Sequence, residues 1–309
     1  MEHISVLVDE VLAQLRPMAG GIYVDATVGH GGHARALLER EPDIGRLICI
    51  DQDSDAIKRA AAALTSFEDK VAFFNQSFTQ LRDILSQAGI RGIDGIVFDL
   101  GVSTGQLKDP SRGFSIYLEG PLDMRMNADA ALHAKNLIEQ LDTNELADTI
   151  YRYGEERFSR RIAAHIKARQ ADINTTADLA LVVSQAIPAR FHPRNIHPAT
   201  KTFQALRIAV NNELQALETG LQAACEALHS GGRMCVIAFH SLEDRIVKTM
   251  FKRWAGGCVC PRDLPVCACG CTAQVRIITR KAVQPGSAEV GVSTRSRRSR
   301  QGLRGPQST

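Results

Sequence analysis

Residues 21–33 read G-I-Y-V-D-A-T-V-G-H-G-G-H, and this stretch decides the fold class. A short apolar run from Ile22 to Val24, an acid at Asp25, a glycine cluster and then the helix formers Ala34 to Glu39 spell strand, tight turn, helix. At such a junction glycines let the backbone approach a ligand, and the free amides of the helix start favour anionic or polar ligand groups. The spacing is not that of the G-x-G-x-x-G fingerprint, so alone the stretch fits a plain turn as well as a ligand loop. The chain around it has to choose.

Downstream the pattern repeats. Leu47–Ile50 is a second apolar strand ending in Asp51-Gln-Asp53, and a helix opens at Asp53-Ser-Asp-Ala and runs to Leu64, its first-turn acids suiting the helix dipole. Val71–Phe74 is a third strand, followed by a helix from Phe78 to Ala88 with Phe78, Leu81, Ile84 and Leu85 on one face. Gly95–Phe98 is a fourth, stopped by Asp99-Leu-Gly101. Short apolar runs alternating with helices predict right-handed crossovers and an α/β domain with a parallel sheet buried on both faces.

The alternation then stops. Leu100 to Asn127 reads as loop, rich in glycine and proline. Helical segments follow at 144–153, at 162–169 and after the capping-box pattern Thr175-Thr-Ala-Asp178. Leu214, Leu217, Leu221 and Leu228 predict a long amphipathic helix stopped by Gly231-Gly232. Arg233–Phe239 is again a buried strand, Ser241 to Trp254 a helix, and Val275–Thr279 a last strand. A helical domain thus interrupts the α/β domain after its fourth strand, giving expected boundaries of 1–108, 109–212 and 213–309.

With 309 residues, 44% hydrophobic and 23% charged, the chain has the composition of a globular protein large enough for two domains. The acidic start lacks a secretory pattern and no apolar run reaches the roughly 18 residues of a membrane helix, so a cytoplasmic protein without a membrane partner is expected. Of 37 basic and 34 acidic residues, eight basic and one acidic fall after Cys271. A basic tail on a mildly acidic body suggests a polyanion partner, the alternative being a solvated terminus. Five cysteines form C-x-C-x6-C-x-C-x-C over 258–271. They have the ligand type for tetrahedral zinc, but the C-x-C pairs are tighter than usual zinc spacing, and a reduced loop or an occasional disulfide is the alternative.

In an open parallel sheet, ligands bind at the carboxyl ends of the strands. Here those ends carry Asp25, Asp51, Asp99 and His240. Carboxylates at three strand ends make poor core filler, because unpaired buried charge is expensive. Asp51 lies 22 residues after Gly29, close to the roughly 20 at which an acid meets ribose hydroxyls in nucleoside-binding folds. Its alternative, a helix cap, suits Asp53 or Ser54 better. Phe78 is placed either along an adenine ring or in the core. A nicotinamide dinucleotide and S-adenosylmethionine both fit these features; the missing pyrophosphate fingerprint and the acids, which suit a sulfonium cation, favour the methyl donor.

Seven motifs then narrow the reading: D-A-T-V-G-H-G-G-H (25–33), D-L-G-V-S-T-G-Q-L (99–107), R-G-F-S (112–115), G-P-L-D-M-R-M (120–126), Y-G-E-E-R-F (153–158), H-P-A-T-K-T-F-Q-A-L-R-I (197–208) and F-H-S-L-E-D-R-I-V-K (239–248). In this order they resemble the bacterial small-subunit ribosomal RNA (cytosine-N(4)) methyltransferases, the RsmH or MraW family, across nearly the whole chain. The resemblance implies a Rossmann-like S-adenosylmethionine-dependent methyltransferase fold. It also implies methylation of a cytidine's exocyclic amine in 16S ribosomal RNA of the small subunit. Carried over, the cofactor contacts are Gly31, Gly32, His33, Asp51, Phe78, Asp99 and Gln106, with no metal. This chain departs from the family pattern at Ser103-Thr104-Gly105, in its tail and in its cysteine-rich stretch.

The amine is a weak nucleophile, so an enzyme has to align it and accept its hydrogen bonds. Asp99, after the fourth strand, is the residue expected to act here, either by accepting from the amine directly or by orienting the cofactor. His240 is a second candidate, with the capping of the next helix as its alternative. In the insertion Arg125, His197, Lys201 and Arg207 are candidates for RNA phosphates, and Arg157, Arg160, Arg161 and Lys167 for a solvated helix face. Competing readings are an amine-directed DNA methyltransferase, whose D/N/S-P-P-Y/F motif is D-L-G-V here, a non-enzymatic RNA-binding or zinc protein, and a nicotinamide oxidoreductase.

Overall fold

The short apolar runs become the parallel strands that their length and flanking turns predict. A computed structural model describes residues 5–256, 260, 272–279 and 281–285, with the backbone of 302–304 and 306–308. Four cysteines of the cluster and most of the basic tail lie outside the described residues, and so do the zinc and polyanion expectations that rest on them. Two compact units result, one made of residues up to Gly101 together with those from Leu214 onward, the other of Val102–Glu213.

The first unit opens with α1 (Val8–Leu15), β1 (Ile22–Asp25), α2 (Gly32–Arg40), β2 (Arg46–Ile50), α3 (Ser54–Ala63), β3 (Val71–Phe74), α4 (Leu81–Gln87) and β4 (Ile93–Asp99). Its sheet runs β3-β2-β1-β4 and continues into a later strand described below, all parallel. Alternate residues feed two cores: Ile48, Ile50, Ile96 and Phe98 face one side, Leu47, Cys49 and Val97 the other. Such two-sided burial is why these strands read as continuous apolar runs rather than as alternations.

The second unit holds α5 (Thr104–Lys108), α6 (Ala134–Gln140), α7 (Thr143–Gly154), α8 (Ser159–Ala168), α9 (Thr176–Ala186) and α10 (Thr200–Asn211). Its core includes Leu146, Ile150, Ile162, Ile166, Leu179, Val183 and Leu206. Two elements correct the sequence reading here. Within the expected loop 100–127, α5 forms because Ser103 and Gln106 make a reciprocal capping box that satisfies both first-turn amides. The segment 200–211, read only as a motif, is a helix with Thr202, Phe203, Ala205, Leu206 and Ile208 buried.

After the insertion come α11 (Glu213–Ala227), β5 (Leu228–Ala238), α12 (Ser241–Trp254) and β6 (Val275–Ile277). β5 pairs parallel with β4 and completes the order β3-β2-β1-β4-β5. Leu228 belongs to this strand and not to α11, as the leucine spacing suggested. Ile93 pairs with Leu228 but Gly95 with Arg233, so the glycines at 231 and 232 sit in a bulge of the strand rather than stopping the helix. Gly231 has φ +85°, open to glycine without strain. The short strands β7 (Gly302–Arg304) and β8 (Pro306–Ser308) pair antiparallel with β5, and β8 also with β6. Among the described residues no helix is long and apolar enough to cross a membrane.

Candidate active site

Between β1 and β4 the strand order reverses, and ligands of open α/β sheets bind at such a point, beyond the carboxyl ends of the strands. Three adjacent strands end there in acids: Asp25 on β1, Asp51 immediately after β2 and Asp99 on β4. The ends are tied together by the loop after β1. Thr27 Oγ1 accepts from the Asp99 amide at 2.7 Å, the Ala26 amide bonds the Val97 carbonyl, and the Val28 amide bonds that of Ile50.

Asp51 fixes the glycine turn from the other side. Its Oδ2 accepts from the Gly29 amide at 3.0 Å and its Oδ1 from the Asp53 amide at 2.9 Å. The helix cap itself is Asp53, which accepts from the Asp55 amide, so the cap alternative for Asp51 falls away. Two amides occupy two of the roughly four acceptor positions of a carboxylate, leaving the others for donors such as hydroxyls. Burial pushes the Asp51 carboxyl up to about 6, against the pull of those two amides. Asp25, only 2% exposed, is likewise pushed up to about 6 by burial, with His33 and the Thr27 amide opposing and Asp99 and Asp51 adding to the rise.

The glycines have local reasons to be glycine. Gly29 and Gly31 hold φ +54° and +81°, where a side chain is strained. Gly32 lies against Ser5: a Cβ there would stand 2.0 Å from the serine Oγ. His33 is buried in the first turn of α2, its Nε2 bonded to the Val6 carbonyl at 2.8 Å, so its ring is held in place. Phe78 begins the turn before α4. Its ring meets Phe98 edge-on at 5.5 Å and lies under Gly220 of α11, where any Cβ would approach it to 2.4 Å. Half-buried, it is first of all a packing residue.

Gln106 falls in the second unit, 6% exposed, with its Oε1 accepting from the Ser103 amide. His240 caps α12: its Nδ1 accepts from the Glu243 amide, and Glu243 returns a carboxylate to the Phe239 and His240 amides. The capping alternative for His240 is the one observed. Of the residues expected to meet phosphates, Arg125 is engaged by Asp123 through both Nε and Nη2, and Arg207 by Glu213 in the same bidentate way. Lys201 donates to the Glu155 carbonyl. Burial and the neighbouring His192 lower the pKa of His197, which disfavours its cationic form. Arg157 is not a merely solvated charge, since it stacks on Phe158 and Phe191. Sequence reasoning gave Asp25 no separate role and passed over Thr27; their place in the D-A-T step directly after the strand was the available signal.

A parallel sheet ordered in this way, with acids on three adjacent strand ends around a glycine turn, is the architecture of the Rossmann-like S-adenosylmethionine-dependent methyltransferases. The description of the MraW methylase family matches residues 1–304, and the chain belongs to that family. It is similar to the ribosomal RNA small subunit methyltransferase H of Heliobacterium mobile, 47% identical over 297 residues that cover 95% of each chain. A protein of the same name from Geobacter sp. (strain M21) is 48% identical, over 96% of this chain and 95% of its own. Among solved structures, an rRNA methylase from Streptococcus thermophilus aligns over 97% of this chain and 93% of its own, at 9% identity and a TM-score of 0.41. Family membership rests on the sequence matches.

Proposed function

We propose that this enzyme methylates the exocyclic amine of a cytidine in small-subunit ribosomal RNA and works in the cytoplasm. The observation that carries the reading is the row of Asp25, Asp51 and Asp99 on adjacent strand ends, in a chain of the MraW methylase family. The donor set fits S-adenosylmethionine. Asp51 keeps acceptor positions beyond the Gly29 and Asp53 amides for ribose hydroxyls, and the turn at Gly29 and Gly31 carries no side chain of its own at these two positive-φ positions. Gly31, Gly32, His33, Asp51, Phe78 and Asp99, all of the first unit, are the residues we assign to holding it. When bound, the cofactor supplies an electrophilic methyl group on a sulfonium.

The rest is done by the chain. Asp99 accepts hydrogen bonds from the amine and so directs its lone pair, while the Thr27 hydroxyl fixes the strand end from which Asp99 projects. Two further carboxylates at the same sheet edge give the site a negative field that favours a cationic donor over its neutral product. The target base has to leave its stack, at a cost of a few kcal/mol, and we assign recognition of the surrounding RNA to the helical unit 102–213. The test is transfer of labelled methyl groups to small subunits, naked ribosomal RNA and DNA, followed by nucleoside analysis. N(4)-methylcytidine in the ribosomal substrates is the expected product; methylated DNA alone, or no transfer, would refute the reading.

A further inference from the structure

We propose that the helical unit carries a stacking platform for an unpaired RNA base, built by Arg157, Phe158, Arg190 and Phe191; this rests on the RNA-methyltransferase reading above. From Leu179 to Asn212 the chain contains no Asp or Glu, while Arg190, Arg194, Lys201 and Arg207 fall within it. Two of these cations are already engaged within the unit, and one, Arg190, shares another arrangement with Arg157 of the preceding motif. Lys201 and Arg207 are bonded to the Glu155 carbonyl and to Glu213. Arg157 and Arg190 are exposed and, among the described residues, no carboxylate pairs with either. They lie instead on aromatic rings.

Phe191 ends a single turn of 3-10 helix, Ala189–Phe191, and is 39% exposed, so part of the ring is open to a ligand. The Arg157 guanidinium stands 4.4 Å from the Phe191 ring centre and 4.7 Å from that of Phe158; Arg190 stands 4.8 Å from Phe191. The two rings are 5.2 Å apart and inclined at 42°.

The platform has a firm base. Phe158 packs against the core of the unit, and the Glu156 carboxylate, itself buried, accepts from the Phe158 amide at 2.9 Å. On the other side, His192 Nε2 bonds the Ile187 carbonyl at 2.9 Å and that of Ser184 at 3.2 Å, which holds the turn.

A guanidinium laid on a ring presents its N–H groups at the edge, where phosphate oxygens can be met, and adds its plane to the stacking surface. Paired bases are already stacked, so the surface selects an unpaired one. Base-modifying enzymes meet such bases in their substrates, because they act on single strands or on nucleotides taken out of the stack.

The test compares Phe191→Ala, Phe191→Trp, Arg190→Gln and Arg157→Gln with the parent enzyme. The probe is a single-stranded RNA dodecamer carrying 2-aminopurine, with its duplex as control and small subunits as substrate. The parent should bind the single strand in preference to the duplex and quench the fluorophore. Phe191→Ala should lose on the order of tenfold in affinity and abolish the quenching, while Phe191→Trp keeps both. Arg190→Gln combined with Arg157→Gln should flatten the slope of log affinity against log salt by roughly 1.4. A merely structural staple would change the melting temperature and leave the salt slope and quenching intact, which overturns the platform. Each variant's affinity for S-adenosylmethionine reports that the other unit is folded. Unchanged RNA affinity and KM in Phe191→Ala and in the double arginine variant, with methyl transfer intact in the parent, removes the platform alone. A parent that transfers no methyl group to ribosomal substrates removes the functional reading and the platform with it.

Discussion

Asp25 and Asp51 make affinity for the methyl donor a function of pH in a range where ordinary carboxylates do not titrate. Both are pushed up to about 6 by burial. The ionised forms accept ribose hydroxyls more strongly than the protonated ones and alone favour a sulfonium, so binding draws protons off them. Lowering the pH from 7.5 to 5.0 passes through both titrations. One unit below its pKa a group costs about 1.4 kcal/mol to ionise, a factor of about ten, so two groups together weaken binding by roughly 10- to 100-fold at pH 5.

Stability of the cofactor-free protein carries the opposite sign. The folded carboxyls hold protons more tightly than the unfolded chain, whose ordinary value is 3.8, so their contribution grows as pH falls from about 6 toward 4 and is lost above about 6. Calorimetric titration of S-adenosylmethionine at half-unit pH steps measures the first effect, with circular dichroism verifying the fold at each step. Asp51→Asn and Asp25→Asn should each shallow the pH dependence, and Asp51→Asn should also weaken binding at pH 7.5. An affinity that stays level from pH 8 to pH 5, or a pH dependence that both variants leave untouched, would refute the reasoning.

Asp99→Ala should abolish methyl transfer to small subunits while the protein stays folded; near-normal turnover discards Asp99 as the acceptor of the amine hydrogen bonds. Gly154→Ala would place a Cβ 2.5 Å from the Lys201 carbonyl oxygen, where α7 and α10 cross, so the urea midpoint should fall by an amount worth about 1–3 kcal/mol. Unaltered denaturation would show that this crossing tolerates the extra methyl. Arg207→Ala strips the half-buried Glu213 of its partner, and the loss should appear as about 1–3 kcal/mol of stability rather than as a flatter salt dependence of RNA binding. A flattened slope with unchanged stability would return Arg207 to the phosphate-contacting group.

The sheet was legible because each of its parallel strands is buried on both faces and flanked by turn residues, which turns topology into a one-dimensional pattern of apolar runs. The acids at the strand ends were legible for the same reason: each directly follows its run. Helix starts announced themselves through caps such as Thr175 with Asp178. What stayed hidden was set by distance in the chain. Nothing near Leu228 reveals that it pairs with Ile93 rather than extending a helix, and nothing near Arg157 reveals Phe191 above it. Arg125 and Arg207 were read as free charges because a count of charges ignores geometry; their partners lie two and six residues away. Phe78 shows the same limit, since its place under Gly220 depends on a helix reached only after the insertion.

The pairing of β4 with β5 carries a kinetic consequence. Of the parallel pairs in the sheet these neighbours lie farthest apart along the chain, because the whole helical unit separates them. Closing a flexible loop of roughly 130 residues instead of the roughly 20 between β1 and β2 or between β2 and β3 costs about 1.7 kcal/mol more in chain entropy. The helices of the insertion make mostly local contacts and shorten that loop once they form. The half of the sheet that bears Asp25 and Asp51 therefore assembles from sequence neighbours, whereas β4, which bears Asp99, gains its second strand only after more than a hundred intervening residues have found their own fold. A nascent chain released before that point would hold the glycine turn and all three acids, but its β4 would still be an open edge.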